Sequence, residues 1–301
     1  MFRNFNEIEK HILNKNIVKR IALCGAHDDD SLSAVVDASR KGVITSILIG
    51  DESKIREILR KMDEPDDRYE IINQPREKAS AKMAVDFVNQ GRVDIPMKGL
   101  MQSSSYMMPI LDPVTGLVEE GGLLSSITIF YYPARNQFML LTDPALNISP
   151  SFEEKIKLVN NAVKLARSLG FDKIKVAALS ALEKINPDII GSVDAGKLAE
   201  MEWDENIFVA GPFALDNAMD SETAKSKGIT HEVAGNADVL LAPEICSGNV
   251  LHKAIHYFAN LPSVAAVGGS KSPVIFNSRS DSTETKYYSI LTAILQSQIN
   301  Q

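Results

Sequence analysis

The chain has 301 residues, of which 45% are hydrophobic and 24% are charged, a mixture typical of a globular protein with a substantial core. This length favours one large α/β unit or two lobes over a single small domain. The net charge of -7 and the pI near 5.4 argue against a sequence-independent nucleic-acid binder, because such a protein needs a basic face to displace counterions.

Residues 1–16 are too polar for a signal peptide, and no apolar run approaches the roughly 18 residues of a membrane span. The chain has two cysteines, Cys24 and Cys246, which are far apart and lack metal-ligand spacing. This composition favours a reducing compartment over a disulfide framework. We therefore predict a cytoplasmic protein.

Short apolar runs alternate with amphipathic stretches, and this alternation predicts a largely parallel sheet with helices on both faces. Helices are predicted over 77–89 and 283–297, and Ser151 with Glu154 forms a capping box at the start of another. The predicted strands are Arg20–Cys24, Ile44–Ile49, Tyr69–Ile72, Val93–Met97, Ile174–Leu179, Ile207–Val209, Val239–Leu241, Val264–Val267 and Val274–Phe276.

Two further apolar runs, 123–131 and 137–141, are separated only by Tyr132–Asn136. That spacing favours a hairpin over a crossover and makes the sheet mixed. A segment rich in turn residues, TDPALNISP, follows the hairpin and is the candidate crossing between lobes. The helix over 283–297 has no element after it, so we expect it to pack on the first lobe.

The usual cofactor signatures are absent from the sequence: no G-x-G-x-x-G follows the first strand, and no phosphate-binding P-loop motif occurs. His252 and His256 have a spacing that can bind metal. Without a further ligand at the right distance, ordinary surface or core histidines are the better interpretation. We predict no metal.

Lys98 and Gly99 follow the predicted strand 93–97 and precede a cluster of serines. Ligands of open α/β sheets lie at the carboxyl ends of strands, where an ammonium and the N–H groups at a helix start can hold a phosphate. The ordinary alternative is a helix cap beside a surface lysine.

The segment NSRSDSTETK, which begins at Asn277, is the most informative one. It brings a hydroxyl at Ser278 and a guanidinium at Arg279 to the start of the last helix, and an arginine offers phosphate a bidentate fork. In the ordinary alternative, Asp281 or Ser282 caps the helix and Arg279 is solvated.

Two more strand ends carry candidate ligand-binding residues. The segment GPFALDNA follows strand 207–209 and predicts a tight loop into a helix that has an aspartate in its first turn. After strand 239–241, a second helix is predicted to begin at Ser247. A turn and a capped helix are the ordinary alternatives. The candidates are Gly211, Pro212, Asp216, Gly248, Asn249 and Lys253.

These segments together resemble the phosphate acetyl/butyryltransferase family over nearly the whole chain. The matching pieces, in the family's order, are ILIGD, MKGLM, LLTDPALNISP, KVAALSALEKIN, GPFALDNA, KGITHEVAGNADVLLAPEICSGNVLHKAI and NSRSDSTETKYYSI. The serine-arginine-x-aspartate-serine run and the length are more similar to the butyryl branch, phosphate butyryltransferase, than to the acetyl branch.

The resemblance implies a two-lobed α/β fold like that of isocitrate and isopropylmalate dehydrogenases, with a cleft between the lobes, and a homodimer. We expect residues 1–142 with 275–301 in the first lobe and 143–274 in the second. The implied reaction is reversible transfer of a short acyl group between coenzyme A and inorganic phosphate, without metal or nicotinamide. CoA, acyl-CoA and acyl phosphate are then substrates, and no cofactor is expected.

The resemblance also implies roles for residues. Ser278 and Arg279 hold the phosphoryl group, Glu284 is the preferred general base, and Asp281 is the alternative base. The remaining candidate substrate-binding residues are Lys98, Gly99, Thr142, Asp143, Gly211, Pro212, Asp216, Gly248, Asn249 and Lys253.

The chain departs from the family pattern in its first half, where Met108 and Val118 stand in place of arginines and Ser126 in place of a histidine. Two alternatives therefore stay open. One is a dehydrogenase of hydroxy acids on the same fold, which needs a cluster of metal-binding carboxylates. The other is a CoA- or acyl-phosphate-binding regulator with weakened catalysis.

Overall fold

The computed structural model describes residues 1–298, which form two compact units. The first unit comprises Phe5–Gly122 and the described residues from Val264 onward, and the second comprises Leu123–Ser263 with Met1–Asn4. The predicted lobe boundaries, 142/143 and 274/275, lie later in the chain. The difference arises because the hairpin predicted to close the first lobe pairs with the strand at Val239–Leu241, which lies in the second unit.

The predicted alternation of strands and helices is confirmed over most of the chain. The elements are, in chain order, α1 Phe5–Asn14, β1 Lys19–Cys24, α2 Asp29–Arg40, β2 Ile44–Gly50, α3 Glu52–Lys61, β3 Glu70–Asn73, α4 Glu77–Asn89, β4 Ile95–Lys98, α5 Ser103–Ile110, β5 Ser125–Tyr132, β6 Gln137–Thr142, α6 Phe152–Ser168, β7 Ile174–Leu179, α7 Ile190–Glu200, β8 Ile207–Phe213, α8 Leu215–Met219, α9 Ser221–Ser226, β9 Val239–Leu241, α10 Ile245–Tyr257, β10 Ser263–Gly268 and α11 Thr283–Gln296. None of these helices combines the length and apolar character that crossing a membrane requires.

The sheet of the first unit has the strand order β3-β2-β1-β4, and each neighbouring pair is parallel. Strand β1 is almost entirely buried, as expected of a parallel strand covered on both faces. Helix α11 packs against α1 and α2, and the rings of Phe5 and Tyr288 stack with centroids 4.5 Å apart. The last helix thus belongs to the unit that holds β1 and β4.

The second unit contains the sheet segment β5-β6-β9-β7-β8, in which the predicted hairpin β5–β6 is antiparallel and the other pairs are parallel. Helix α6 begins with the predicted capping box between Ser151 and Glu154. The prediction of an α/β fold with mostly parallel, partly mixed sheets is confirmed.

Two predictions of local structure are wrong, and the first helix was not predicted. Residues 274–276 do not form a strand, and only Ile275 makes a single parallel bridge, to Met97. Strand β8 does not end at Val209 but continues through Pro212 to Phe213. Proline is tolerated there because β8 has a partner on one side only among the described strands. Helix α1 is not among the predicted elements.

Candidate anion-binding site

A cavity of about 360 Å³ lies in the first unit. Its lining comes from three stretches of the chain: the loop after β1 with the start of α2, the loop after β4, and the segment that leads into α11. Strands β1 and β4 are parallel neighbours, so their carboxyl ends open at the same edge of the sheet. The residues that matter for the chemistry are Asp28, Lys98, Gly99, Ser278, Arg279 and Lys286.

The two loops after β1 and β4 touch each other through glycines. The N–H of Gly99 donates to Cys24 O at 2.8 Å, and that of Leu100 donates to Gly25 O at 2.9 Å. A Cβ atom on Gly99 would lie 2.5 Å from Gly25 O, and Gly25 itself has a positive φ of 63°. Because no other residue type fits this contact, the glycines fix where the side chain of Lys98 leaves the strand.

Lys98 is 2% exposed at the carboxyl end of β4. Its ammonium donates to Asn277 O at 3.3 Å and to Gly99 O at 3.5 Å, so one of its three N–H groups stays available to a ligand. Burial lowers the pKa of Lys98, and the positive charge of Arg279 lowers it further, whereas Asp28 opposes the shift. A ligand anion would stabilise the charged form.

Ser278 and Arg279 are exposed residues of the short segment before α11. The carboxylate of Asp281 shapes this segment, since its Oδ2 accepts a hydrogen bond from the N–H of Ser278 at 2.8 Å. Ser282 caps α11 by accepting from Thr285 N at 3.2 Å. Asp281 therefore positions Ser278. The N-cap of α11 is Ser282, one of the two candidate caps in the sequence.

Lys286 lines the same cavity but is not among the sequence-predicted residues. Its side chain is 3% exposed, and its ammonium lies 3.6 Å from Asp28 Oδ1. A signal for it exists in the sequence: Lys286 stands one helical turn before Ile290, on the buried face of α11. A lysine on the apolar face of a helix usually has a specific partner.

Glu284 lies in the first turn of α11, as predicted, but does not line the cavity. It is exposed and accepts a hydrogen bond from Tyr288 Oη at 3.0 Å. Met108, which stands in place of an arginine of the family pattern, lies in α5, where it is 54% exposed and does not line the cavity.

The other predicted residues belong to the second unit. Thr142 ends β6, and its buried Oγ1 has no hydrogen-bond partner among residues 1–298. Asp143 is buried, and its carboxylate accepts from the N–H groups of Ser126, Ala145 and Leu146 at 3.0, 2.8 and 2.9 Å and from Asn147. These bonds lower its pKa, but desolvation is the larger effect and the net shift is upward.

Helix α10 begins at Ile245 and is capped by Glu244, whose carboxylate accepts from Cys246 N and Ser247 N. The close approach predicted at Gly248 is made by the protein itself, because a Cβ there would lie 2.7 Å from Asp143 O. Asn249 donates to Pro144 O at 3.1 Å, and Lys253 is exposed on the same helix.

Gly211 and Pro212 lie inside strand β8, not in the predicted turn. A Cβ on Gly211 would be 2.7 Å from Ala178 O, so glycine is needed where β7 and β8 are irregularly paired. Asp216 lies in the first turn of α8, as predicted, and binds Lys227 at 3.0 Å. His252, considered as a metal ligand in the sequence, shares a hydrogen bond of 3.0 Å with Thr128.

The cavity of the first unit thus gathers two buried lysines, an arginine and a hydroxyl at the carboxyl edge of a parallel sheet. This donor set suits a small multivalent anion such as phosphate. The comparison with known proteins agrees with that class.

The sequence matches the family described as phosphate acetyl/butaryl transferase over residues 69–294. A phosphate butyryltransferase from Clostridium acetobutylicum is 38% identical over 298 residues, covering 98% of both chains. A phosphate acetyltransferase from Thermotoga maritima is 36% identical over 275 residues, covering 90% of this chain and 93% of the relative. The crystal structure of a branched-chain phosphotransacylase from Enterococcus faecalis superposes with a TM-score of 0.82 at 29% identity, covering 92% of this chain and 98% of that one.

The chain belongs to the phosphate acetyl/butaryl transferase family and is an acyltransferase. The resemblance drawn from the sequence motifs is confirmed, and so is the fold. The individual site residues stay predictions.

Proposed function

We propose that the protein transfers a short acyl group reversibly between coenzyme A and inorganic phosphate. The observation that carries this proposal is the cavity of Lys98, Lys286, Arg279 and Ser278 in a chain of this family. In one direction an oxygen of hydrogen phosphate attacks the thioester carbonyl. A C–O bond forms, the C–S bond breaks, and the proton of the phosphate ends on the sulfur of CoA.

The geometry of the first unit supports the proposed roles on the phosphate side. Lys98 supplies a buried ammonium with an N–H to spare, and the guanidinium of Arg279 offers the bidentate fork that suits a phosphate. Ser278 donates its hydroxyl from a segment whose backbone Asp281 holds in place. These groups stabilise the negative charge of the phosphoryl group as the acyl–phosphate bond breaks in the reverse direction.

The general base takes the thiol proton when CoA attacks acyl phosphate, because the thiolate is the nucleophile. We assign this role to Glu284. One oxygen of Asp281 is committed to the N–H of Ser278, whereas Glu284 is exposed and has a single hydrogen bond, from Tyr288, among the described residues. A carboxylate in the first turn of a helix is also favoured in its ionised form, as a base must be.

On the CoA side, the exposed ammonium of Lys253 suits the phosphates of coenzyme A. We keep Thr142, Asn249 and the loop around Asp143 as candidate contacts of the acyl-CoA. CoA is a substrate in this scheme, so the reaction needs no cofactor. We also propose that the protein acts in the cytoplasm, as its two distant cysteines favour, and that it is a homodimer, as the family resemblance implies. Light scattering of the purified protein tests the dimer.

A disulfide-exchange assay for free CoA tests the proposed function. Acetyl-, butyryl- and branched acyl-CoA are each incubated with and without inorganic phosphate. We expect CoA release only with phosphate, together with an acyl phosphate that hydroxylamine traps. Release at the same rate without phosphate would mean a thioesterase. Tight CoA binding without release would mean a binding protein.

A further inference from the structure

The loop after β4 places one apolar side chain in the wall of the anion cavity. Leu100 lines the cavity next to Lys98 and Gly99 in the chain, and it is 40% exposed. The other side chains that line the cavity, among residues 1–298, carry ammonium, guanidinium, carboxylate, hydroxyl or imidazole groups. The described wall therefore offers a bound molecule a single apolar contact, and that contact is Leu100.

The backbone of Leu100 is covered, so its exposed surface belongs mainly to the side chain. Its N–H donates to Gly25 O at 2.9 Å, and a Cβ on Gly25 would lie 2.7 Å from Leu100 O and 3.1 Å from the carbonyl carbon. Since the backbone packs on Gly25, the isobutyl group is the part of Leu100 that meets the cavity. A side chain on such a fixed backbone discriminates between ligands, because it does not have to be ordered on binding.

The cavity also has room for more than inorganic phosphate. Its volume of about 360 Å³ lies within the range of pockets that hold small organic ligands, ~300–1,000 Å³. An acyl phosphate is such a ligand: a phosphoryl group joined through one oxygen to a carbonyl and a short apolar chain. When Lys98, Ser278 and Arg279 bind the phosphoryl group, the chain begins close to them, and Leu100 is the apolar surface within this wall.

Exposure of a leucine alone would carry no such meaning, because single apolar side chains are common on protein surfaces. Leu13 of α1 is an ordinary case: it is also 40% exposed, but it does not line the cavity. Leu100 differs because it lies in a concave wall, where an apolar ligand removes both surfaces from water. Each CH₂ group that is fully buried in this way can raise affinity roughly fourfold.

We propose that Leu100 contacts the acyl chain and makes the protein prefer butyryl and branched acyl groups over acetyl. The inference rests on the proposed function, since it takes acyl phosphate as the ligand of this cavity. Leu100 offers the phosphoryl group no hydrogen bond from its side chain and takes no part in proton transfer. Its substitution should therefore change the dependence on chain length and leave the affinity for phosphate as it is.

Three variants test the contact. Leu100→Ala removes it, whereas Leu100→Met retains an apolar side chain of similar volume. Leu13→Ala is the matched control, because it removes the same side chain at the same exposure from the same unit outside the cavity. The backbone bond of Leu100 to Gly25 is available to alanine and methionine alike, so we expect both variants to fold.

The first measurement is kcat/KM for CoA release from acetyl-, butyryl- and isobutyryl-CoA at saturating phosphate. Butyryl has two more CH₂ groups than acetyl, which could contribute up to roughly 15-fold. We expect the butyryl-to-acetyl ratio to fall at least about threefold in Leu100→Ala and to stay within about twofold in Leu100→Met and Leu13→Ala. The KM for phosphate should stay within about twofold in all three, because only a distorted loop would displace Lys98.

The second measurement is calorimetric binding of methyl phosphate and butyl phosphate without CoA, which reports on the cavity and not on the reaction. Butyl phosphate should bind at least about threefold more tightly than methyl phosphate, and Leu100→Ala should abolish this advantage. The inference is overturned if the butyryl-to-acetyl ratio falls by less than about threefold in Leu100→Ala, or if Leu13→Ala lowers it equally. Failure of the proposed function looks different: butyl phosphate keeps its Leu100-dependent advantage, but phosphate releases no CoA from any acyl-CoA.

Discussion

Lys98→Met separates affinity for phosphate from stability, because the two are expected to move in opposite directions. Lys98 is 2% exposed, and methionine fills a similar volume without the charge. The lost charge-assisted hydrogen bond to phosphate is worth about 1.5–3 kcal/mol. At ~1.4 kcal/mol per factor of ten, the KM for phosphate should rise roughly 10- to 150-fold.

The stability of the same variant should not fall. Burial and the charge of Arg279 lower the pKa of Lys98, so the folded state disfavours the charged form that an unfolded lysine has at neutral pH. Only two long hydrogen bonds, of 3.3 and 3.5 Å to carbonyl oxygens, are lost in exchange. We expect the free energy of unfolding in urea, measured without phosphate, to stay constant or to rise by up to about 1 kcal/mol.

The assay is CoA release at saturating acyl-CoA over a range of phosphate concentrations, with urea unfolding of the same preparations. The control is Lys78→Met, which removes an exposed lysine of α4 in the same unit and should change neither quantity. A KM for phosphate within about twofold of the unsubstituted value in Lys98→Met would refute the reasoning. So would a loss of stability that accounts for the lost activity.

Three further predictions concern the remaining site and the second unit. Arg279→Ala should lower kcat/KM at least tenfold and leave the melting temperature unchanged. Arg279→Lys should restore little of the activity, because lysine lacks the planar fork of the guanidinium. If Arg279→Ala and the unsubstituted protein had the same rate within about twofold, Arg279 would not be part of the site. Glu284→Gln should flatten the acidic limb of the pH–rate profile. Asp281→Asn should keep that limb but lower the activity, because the segment at Ser278 loses the bond that holds it. The opposite result would exchange the roles of the two residues. Asp143→Ala leaves three backbone N–H donors without their acceptor. The free energy of unfolding in urea should therefore fall by roughly 3 kcal/mol or more. A loss below about 1 kcal/mol would contradict the structural role of Asp143.

The fold could be predicted from the sequence where hydrophobic periodicity and the length of the connections determine it. Strands β7 and β9 begin and end at the predicted residues, and the hairpin β5–β6 follows from the short separation of its two runs. The prediction fails where a short apolar run pairs at a single residue. Residues 274–276 read as a strand, but only Ile275 pairs, so the segment stays extended without becoming part of a ladder.

Proline was misleading at β8. A glycine and a proline shortly after an apolar run predict a turn at the end of a strand, because proline donates no backbone hydrogen bond. The sequence cannot tell that β8 lies at the end of the strand order, where Pro212 is tolerated. Likewise, only the fold shows that the backbone of Asp143 occupies the space beside Gly248.

Four of the six residues named for the anion site could be predicted from the sequence, and Asp28 and Lys286 could not. Lys98, Ser278 and Arg279 follow apolar runs, so the rule that ligands lie at strand ends finds them. Asp28 follows a strand as well, but it becomes relevant only once β1 and β4 are known to be neighbours, which depends on sheet order and not on local sequence. Lys286 lies inside a helix and requires the buried face of α11 to be identified first.

The electrostatics of the cavity explain why these residues are found together. Burial is the main cause of the lowered pKa of Lys98, and repulsion from the guanidinium of Arg279 and the ammonium of Lys286 lowers it further. A core built only for stability would replace such a group with an apolar side chain. Asp28 offsets part of the repulsion through Lys286, but its second oxygen stays without a partner among the described residues. A bound phosphate would accept hydrogen bonds from these cations and offset their repulsion. The opposite signs expected for affinity and stability in Lys98→Met follow from the cost of holding the cations together without that ligand.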